Sequence, residues 1–202
     1  MKKILFAALP ATLAVMLLTA TTNDPLPIGA PIPSAEVKMK DVSGKEVSLQ
    51  QAKTEKGLLV MFSCNTCPYV IKNQSRTYEA CKYAQGNGIG VAILNSNEAK
   101  RNDDDSYDDM KAYATQQGYN WHYLVDNNSV MADAFGANRT PECFLFDGEG
   151  KLVYHGAIDD NPSDASAVSR KHLLAAIDEM NAGKDISVKE SKSVGCSIKR
   201  LK

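Results

Sequence analysis

The stretch "GLLVMFSCNTCPYV", Gly57 to Val70, narrows the possible folds of this chain more than any other. A short run apolar on both faces leads into two cysteines three apart, and the hydrophobic period then changes. Such a run reads as a central strand covered on both sides. After it, Cys67, Ile71, Gln74, Tyr78 and Cys81 recur at helical spacing, and Gly86 or Gly88 should end the helix. A strand feeding a helix places Cys64 at or just before the first turn, where unpaired N–H groups favour a thiolate. The expected Cys64 pKa is therefore below the free value of about 8.5. Cys67 follows one turn later, within reach of Cys64. Cys64 can then attack a substrate disulfide, and Cys67 can release the mixed disulfide by attacking Cys64. The competing readings are a static Cys64–Cys67 bridge and half of a zinc site. A zinc site needs two more ligands, and the sequence offers no second C-x-x-C or His pair at ligand spacing.

The rest of the pattern builds a sheet around that strand. "AEVKMKDVSGKEVSL" turns at Ser43-Gly44 and reads as a β-hairpin. "GVAIL" (Gly90 to Leu94) and "HYLV" (His122 to Val125) are further strands, and "CFLF" and "KLVYH" flank the turn "DGEG". Ser106 with Asp109 resembles a capping box opening a helix that Gly118 stops, and a last helix is expected from about Asp164 to Met180. The acidic cluster "DDDSYDD" lacks the Gly and distal Glu that a calcium loop requires, so it reads as a helix N-terminus. The fold class is α/β, with a central mixed β-sheet flanked by helices and an N-terminal β-hairpin extension.

A second signal is "NRTPECFLFD". Pro141 cannot donate to a sheet, so it belongs at a strand's start. A cis Thr140-Pro141 bond would expose the Thr140 backbone to an extended substrate. With the C-x-x-C some 75 residues upstream, these features resemble the thioredoxin superfamily. The closer likeness is to its alkyl hydroperoxide reductase and thiol-specific antioxidant branch, which is peroxiredoxin-like. It runs from about Ile28 to Asp160, and "LVYHGAIDDNP" together with the tail "VGCSIK" looks like a peroxiredoxin-like subfamily. The resemblance implies a thioredoxin-like fold, Cys64 and Cys67 as the catalytic pair, Thr140 and Pro141 as the substrate-binding platform, and no cofactor or metal. It also implies a thiol–disulfide oxidoreductase acting on a protein or small-molecule thiol or disulfide, with a separate electron donor.

The departures from the family patterns keep a thiol-dependent peroxidase open as the alternative. Cys67-Pro68 fits the end of the peroxiredoxin motif P-x-x-x-T-x-x-C, but Cys64 replaces its Thr and Val60 its first Pro. Arg76 and Arg139 are the candidates for that family's arginine. Against a thioredoxin, Ser63 replaces the Trp before the pair, and Leu58 stands where a buried acid often assists proton transfer. A copper chaperone would want C-x-x-x-C and a distal His, whose approximate place Asn127 takes.

Three further cysteines remain. Cys81 lies 14 residues past Cys67, about 21 Å along one helix, and reads as core. Cys143 reads as a small buried hydrophobe, and Cys196 either as an accessory resolving thiol, were its tail to fold back toward Cys64, or as an idle surface cysteine. His155 ends a strand and reads as structural, while His122 and His172 carry less signal. The N-terminus "MKKILFAALPATLAVMLLTA" has two lysines and a short apolar run broken by Pro10, the pattern of a signal peptide over residues 1–20. The expected layout is then a domain over 25–183 and a solvated tail over 184–202. The chain would be exported, periplasmic or extracellular, and membrane-attached only if the leader stays uncleaved. A formal charge of −1 with no basic stripe argues against nucleic acid.

Overall fold

The structure, a computed structural model, describes residues 24–201; the expected leader lies outside the described residues. Strand β3 (Leu58–Ser63) is buried at every position and sits inside a seven-stranded sheet. It runs parallel to β4 (Gly90–Asn95), which in turn runs parallel to β5 (His122–Val125). On its other side β3 pairs antiparallel with β7 (Glu142–Phe146), which pairs with β8 (Leu152–Gly156). The expected N-terminal hairpin is present as β1 (Met39–Asp41) and β2 (Glu46–Val47), with β1 antiparallel to β5. The sheet is mixed, as expected.

Alternate residues of β3 feed two cores, as the period of a strand demands. Leu59 and Met61 meet Cys81, Ile93, Tyr123 and Tyr154 on one side. Val60 and Phe62 meet Phe135, Phe144 and Phe146 on the other. The Phe62, Phe135 and Phe144 rings pack edge-on, with centroids 5.1–5.6 Å apart.

The helix after the cysteines differs from its expectation in two ways. It begins at Pro68, with Cys67 as N-cap, and divides at Asn73 into α2 (Pro68–Lys72) and α3 (Gln74–Gly86). The Asn73 amide donates to Tyr69 O and to Pro162 O, so one side chain both ends α2 and ties it to a distant loop. Ser106 caps α4 (Tyr107–Gln116) by accepting from Asp109 N, as its spacing predicts. The last helix, α6 (His172–Asn181), starts eight residues later than expected. The intervening chain is held instead by carboxylates: Asp160 accepts from Ser169 N and Arg170 N, and Asp164 from Ser166 N. Two short helices escaped the pattern, α1 (Leu49–Ala52) and α5 (Val130–Phe135).

The largest departure is the tail. The lysine-rich segment expected to be solvated is strapped along the molecule. Lys189 O and Ser191 N hydrogen-bond to the His155 backbone, and Ile186 and Ile198 are buried. Residues Cys196–Ser197 form strand β9, antiparallel to β6 (Arg139–Thr140), in a separate two-stranded sheet.

Candidate active site

The end of β3 delivers both cysteines of the motif to one residue, Thr140. The Cys64 sulfur lies 3.7 Å from Thr140 Oγ1, and the Cys67 sulfur 3.5 Å from Thr140 O. The Thr140-Pro141 bond is cis. Val70, Tyr69, Tyr113 and Cys196 pack around the pair. All five residues singled out by the sequence, Cys64, Cys67, Thr140, Pro141 and Cys196, therefore meet at one place.

Their bonding differs from the expected Cys64–Cys67 disulfide. Cys67 is bonded to Cys196, 129 residues away, and Cys64 is a free thiol. The cause lies in the tail: β9 pairs Cys196 opposite Thr140, and Thr140 touches Cys67. The static Cys64–Cys67 bridge is not the arrangement found.

Cys64 also departs from its expected acidity. The N–H groups of Thr66 and Cys67 act on its sulfur and favour the thiolate, as anticipated. Burial, aided by the negative charge of Asp105, outweighs them and pushes the thiol pKa up. Cys64 is 1% exposed and Cys67 5%.

Asp105 is the site residue that sequence reasoning missed. It comes from the acidic cluster read as a plain helix N-terminus, yet it is fully buried. Its Oδ1 accepts from Asn65 N (2.9 Å) and Asn95 Nδ2 (2.7 Å), and its Oδ2 from Asn97 Nδ2 (2.8 Å). Tyr123 donates to Asn65 Oδ1 at 2.8 Å. The loop between the two cysteines is thus fixed from behind by a carboxylate and a tyrosine. Leu58, where a buried acid was sought, is plain core. The signal available in the sequence was the pair Asn95 and Asn97 at the end of β4, since polar side chains there need a buried partner.

The chain around Thr140 and Pro141 has its own support. Glu142 accepts from the backbone N–H groups of Asn138 and Arg139 at 2.8 and 2.9 Å, and its other oxygen meets His155 Nε2 at 2.8 Å. His155 is therefore committed to a buried pair with the residue that follows Pro141. Arg76 is also committed: it is buried, paired with Asp159 at 2.7 Å, and donates to Asn161 O. Arg139 lends its backbone to β9 and is exposed. Cys81 and Cys143 are fully buried in the core, and burial pushes both thiols up. His122 pairs with Asp41 at 3.0 Å, beside the hairpin.

Comparison with known proteins places the chain in a family. A family model described as Redoxin matches residues 27–170. Among solved structures, a hypothetical protein from Sinorhizobium meliloti 1021 superposes with a TM-score of 0.80 at 32% identity, covering 88% of this chain and 97% of that one. An uncharacterized conserved protein from Geobacillus kaustophilus gives the same TM-score, 0.80, and identity, 32%, over 87% of this chain and 93% of its own. Among curated proteins, the thiol-disulfide oxidoreductase ResA of Bacillus subtilis (strain 168) is 26% identical over 115 residues. That match spans 57% of this chain and 60% of the length of ResA.

Proposed function

The chain belongs to the Redoxin family, and from that premise we propose that it is an exported thiol–disulfide oxidoreductase working through Cys64 and Cys67. Its substrate is a protein or small-molecule thiol or disulfide, renewed by a separate electron donor. Export rests on the leader-like residues 1–20. One observation carries the activity: two cysteine sulfurs converge on Thr140 beside the cis Pro141, where an extended strand is already disulfide-linked to Cys67.

That linkage favours a division of labour opposite to the one expected from sequence. Cys67, the thiol already bonded to the tail, takes the bond to substrate; Cys64, against the same threonine, resolves the mixed disulfide by attacking the Cys67 sulfur. The test is mixed-disulfide trapping in a Cys196→Ser background. Cys64→Ser should accumulate adducts on Cys67. Adducts found only on Cys64, in Cys67→Ser, would restore the order expected from sequence. Absence of adducts in both variants would end the exchange reading.

The peroxidase reading keeps one supporting observation, the bond from Cys67, the residue before Pro68, to a distant thiol. It loses one of its candidate arginines, because Arg76 is held by Asp159 and Asn161. Stopped-flow mixing of reduced protein with peroxide decides between them: rapid sulfenate at Cys67 favours the peroxidase.

A further inference from the structure

The tail bound at the platform has the features of a substrate. It is extended, it pairs antiparallel with Arg139 and Thr140, and it places a cysteine on Cys67. The fit is specific on both sides of that cysteine. A Cβ on Gly195 would lie 2.1 Å from Thr140 O, so no residue with a side chain fits there without displacing the strand. Two residues after the cysteine, Ile198 is 6% exposed in the second core, and its N–H donates to Asn138 O. Beyond it, Lys199 N donates to Asn97 Oδ1, and Arg200 pairs with Asp133 at 2.7 Å. The tail therefore binds by backbone pairing, a glycine-sized gap and an aliphatic socket. This is how a sheet edge recognises an extended peptide.

From this we propose that Gly195–Ile198 is a tethered copy of the substrate: the site takes an extended Gly-Cys-x-aliphatic polypeptide segment, and admits it once Cys64 has displaced Cys196 from Cys67. The inference rests on the exchange reading above and names its substrate class. The displacement balances within the chain. The Cys64 thiol gives up its proton as its sulfur attacks the Cys67 sulfur. A Cys64–Cys67 bond forms as Cys67–Cys196 breaks, and the departing electron pair stays on Cys196, which takes up a proton. No outside oxidant or reductant is consumed. The freed tail then leaves Thr140 open for a segment of the same shape.

The test uses the full chain and a Gly195→Ala variant, whose added methyl pushes the strap off Thr140. Non-reducing peptide mapping of the oxidised proteins should recover mainly Cys67–Cys196 in the parent. In Gly195→Ala, the ratio of Cys64–Cys67 to Cys67–Cys196 should rise at least tenfold. The reduced variant is then mixed with two octapeptides, each carrying a thionitrobenzoate disulfide: Ser-Val-Gly-Cys-Ser-Ile-Lys-Arg and its counterpart with Val in place of Gly. The Gly peptide should react at least ten times faster. An unchanged disulfide ratio, or equal rates for the two peptides, overturns the tethered-substrate assignment. A variant that treats the peptides alike yet reduces a small aromatic disulfide refutes this assignment only. One that reacts with no disulfide refutes the exchange reading as well.

Discussion

Replacing Asp105 by Asn changes one charge behind the cysteine loop and almost nothing of its shape. The Asn carbonyl can still accept from Asn65 N and Asn95 Nδ2, as Asp105 Oδ1 does. Its amide nitrogen would then face Asn97 Nδ2, setting donor against donor where Oδ2 now accepts. One buried mismatch of this kind costs about 1–3 kcal/mol, so a lowered urea midpoint is expected. The effect on Cys64 runs the other way. Burial and the Asp105 charge both hold its thiol protonated, so removing the charge must lower its pKa. The Asp105 charge acts across a buried, low-dielectric gap, so its loss should move the Cys64 titration downward. The measurement is the pH profile of native iodoacetamide alkylation at Cys64, read by mass spectrometry in a Cys67→Ser/Cys196→Ser background. A profile that stays within half a unit of the parent, or moves upward, would refute the electrostatic account. A stability loss without a pKa shift would leave Asp105 as scaffolding for Asn65 alone.

Two other consequences are open to direct measurement. Arg76→Met strands Asp159 as a buried unpaired carboxylate and should cost about 3–5 kcal/mol in urea unfolding. Adding Asp159→Leu should recover most of that loss, whereas an Arg76 serving peroxide chemistry would lose activity at little cost in stability. The reduced protein should weaken at alkaline pH, because Cys64, Cys81 and Cys143 all have raised folded pKa values. Their stabilisation is complete below the unfolded thiol pKa of about 8.5. It is lost as pH rises further, by about 1.4 kcal/mol per pH unit for each thiol. Urea midpoints that stay flat from pH 8 to pH 10 would contradict this.

The parts of the fold that were legible in sequence are those whose signal is local. Strand β3 announces itself by being apolar on both faces, and α4 by a serine three residues before the backbone N–H that it caps. Pro141 was readable at the start of a strand because few places in a sheet accept that residue, while its cis bond was implied only by the likeness to the thioredoxin superfamily. The misses required knowledge of distant neighbours. Asp105 looks like its exposed neighbours Asp103 and Asp104 until the asparagines at the end of β4 are seen to converge on it. The Cys64 pKa was assigned the wrong direction because local geometry supplies only the N–H groups; the burial and the opposing carboxylate come from elsewhere in the chain. Strand β9 has two residues, and its partners lie more than fifty positions upstream, so no hydrophobic period marks it.

The same remoteness explains why a tail belongs at this site. A platform that reads an extended chain must keep backbone donors and acceptors unpaired until the chain arrives. An open strand edge of that kind invites association with other proteins. Here Arg139 and Thr140 are paired by Ser197 and Cys196, so the edge is closed by a segment of the same molecule. Because the strap is covalent with the rest of the chain, its local concentration stays high whatever the dilution, and only a chemical step at Cys67 or strong competition removes it. Cys64, free and in contact with the same threonine as Cys67, is the thiol placed to supply that step.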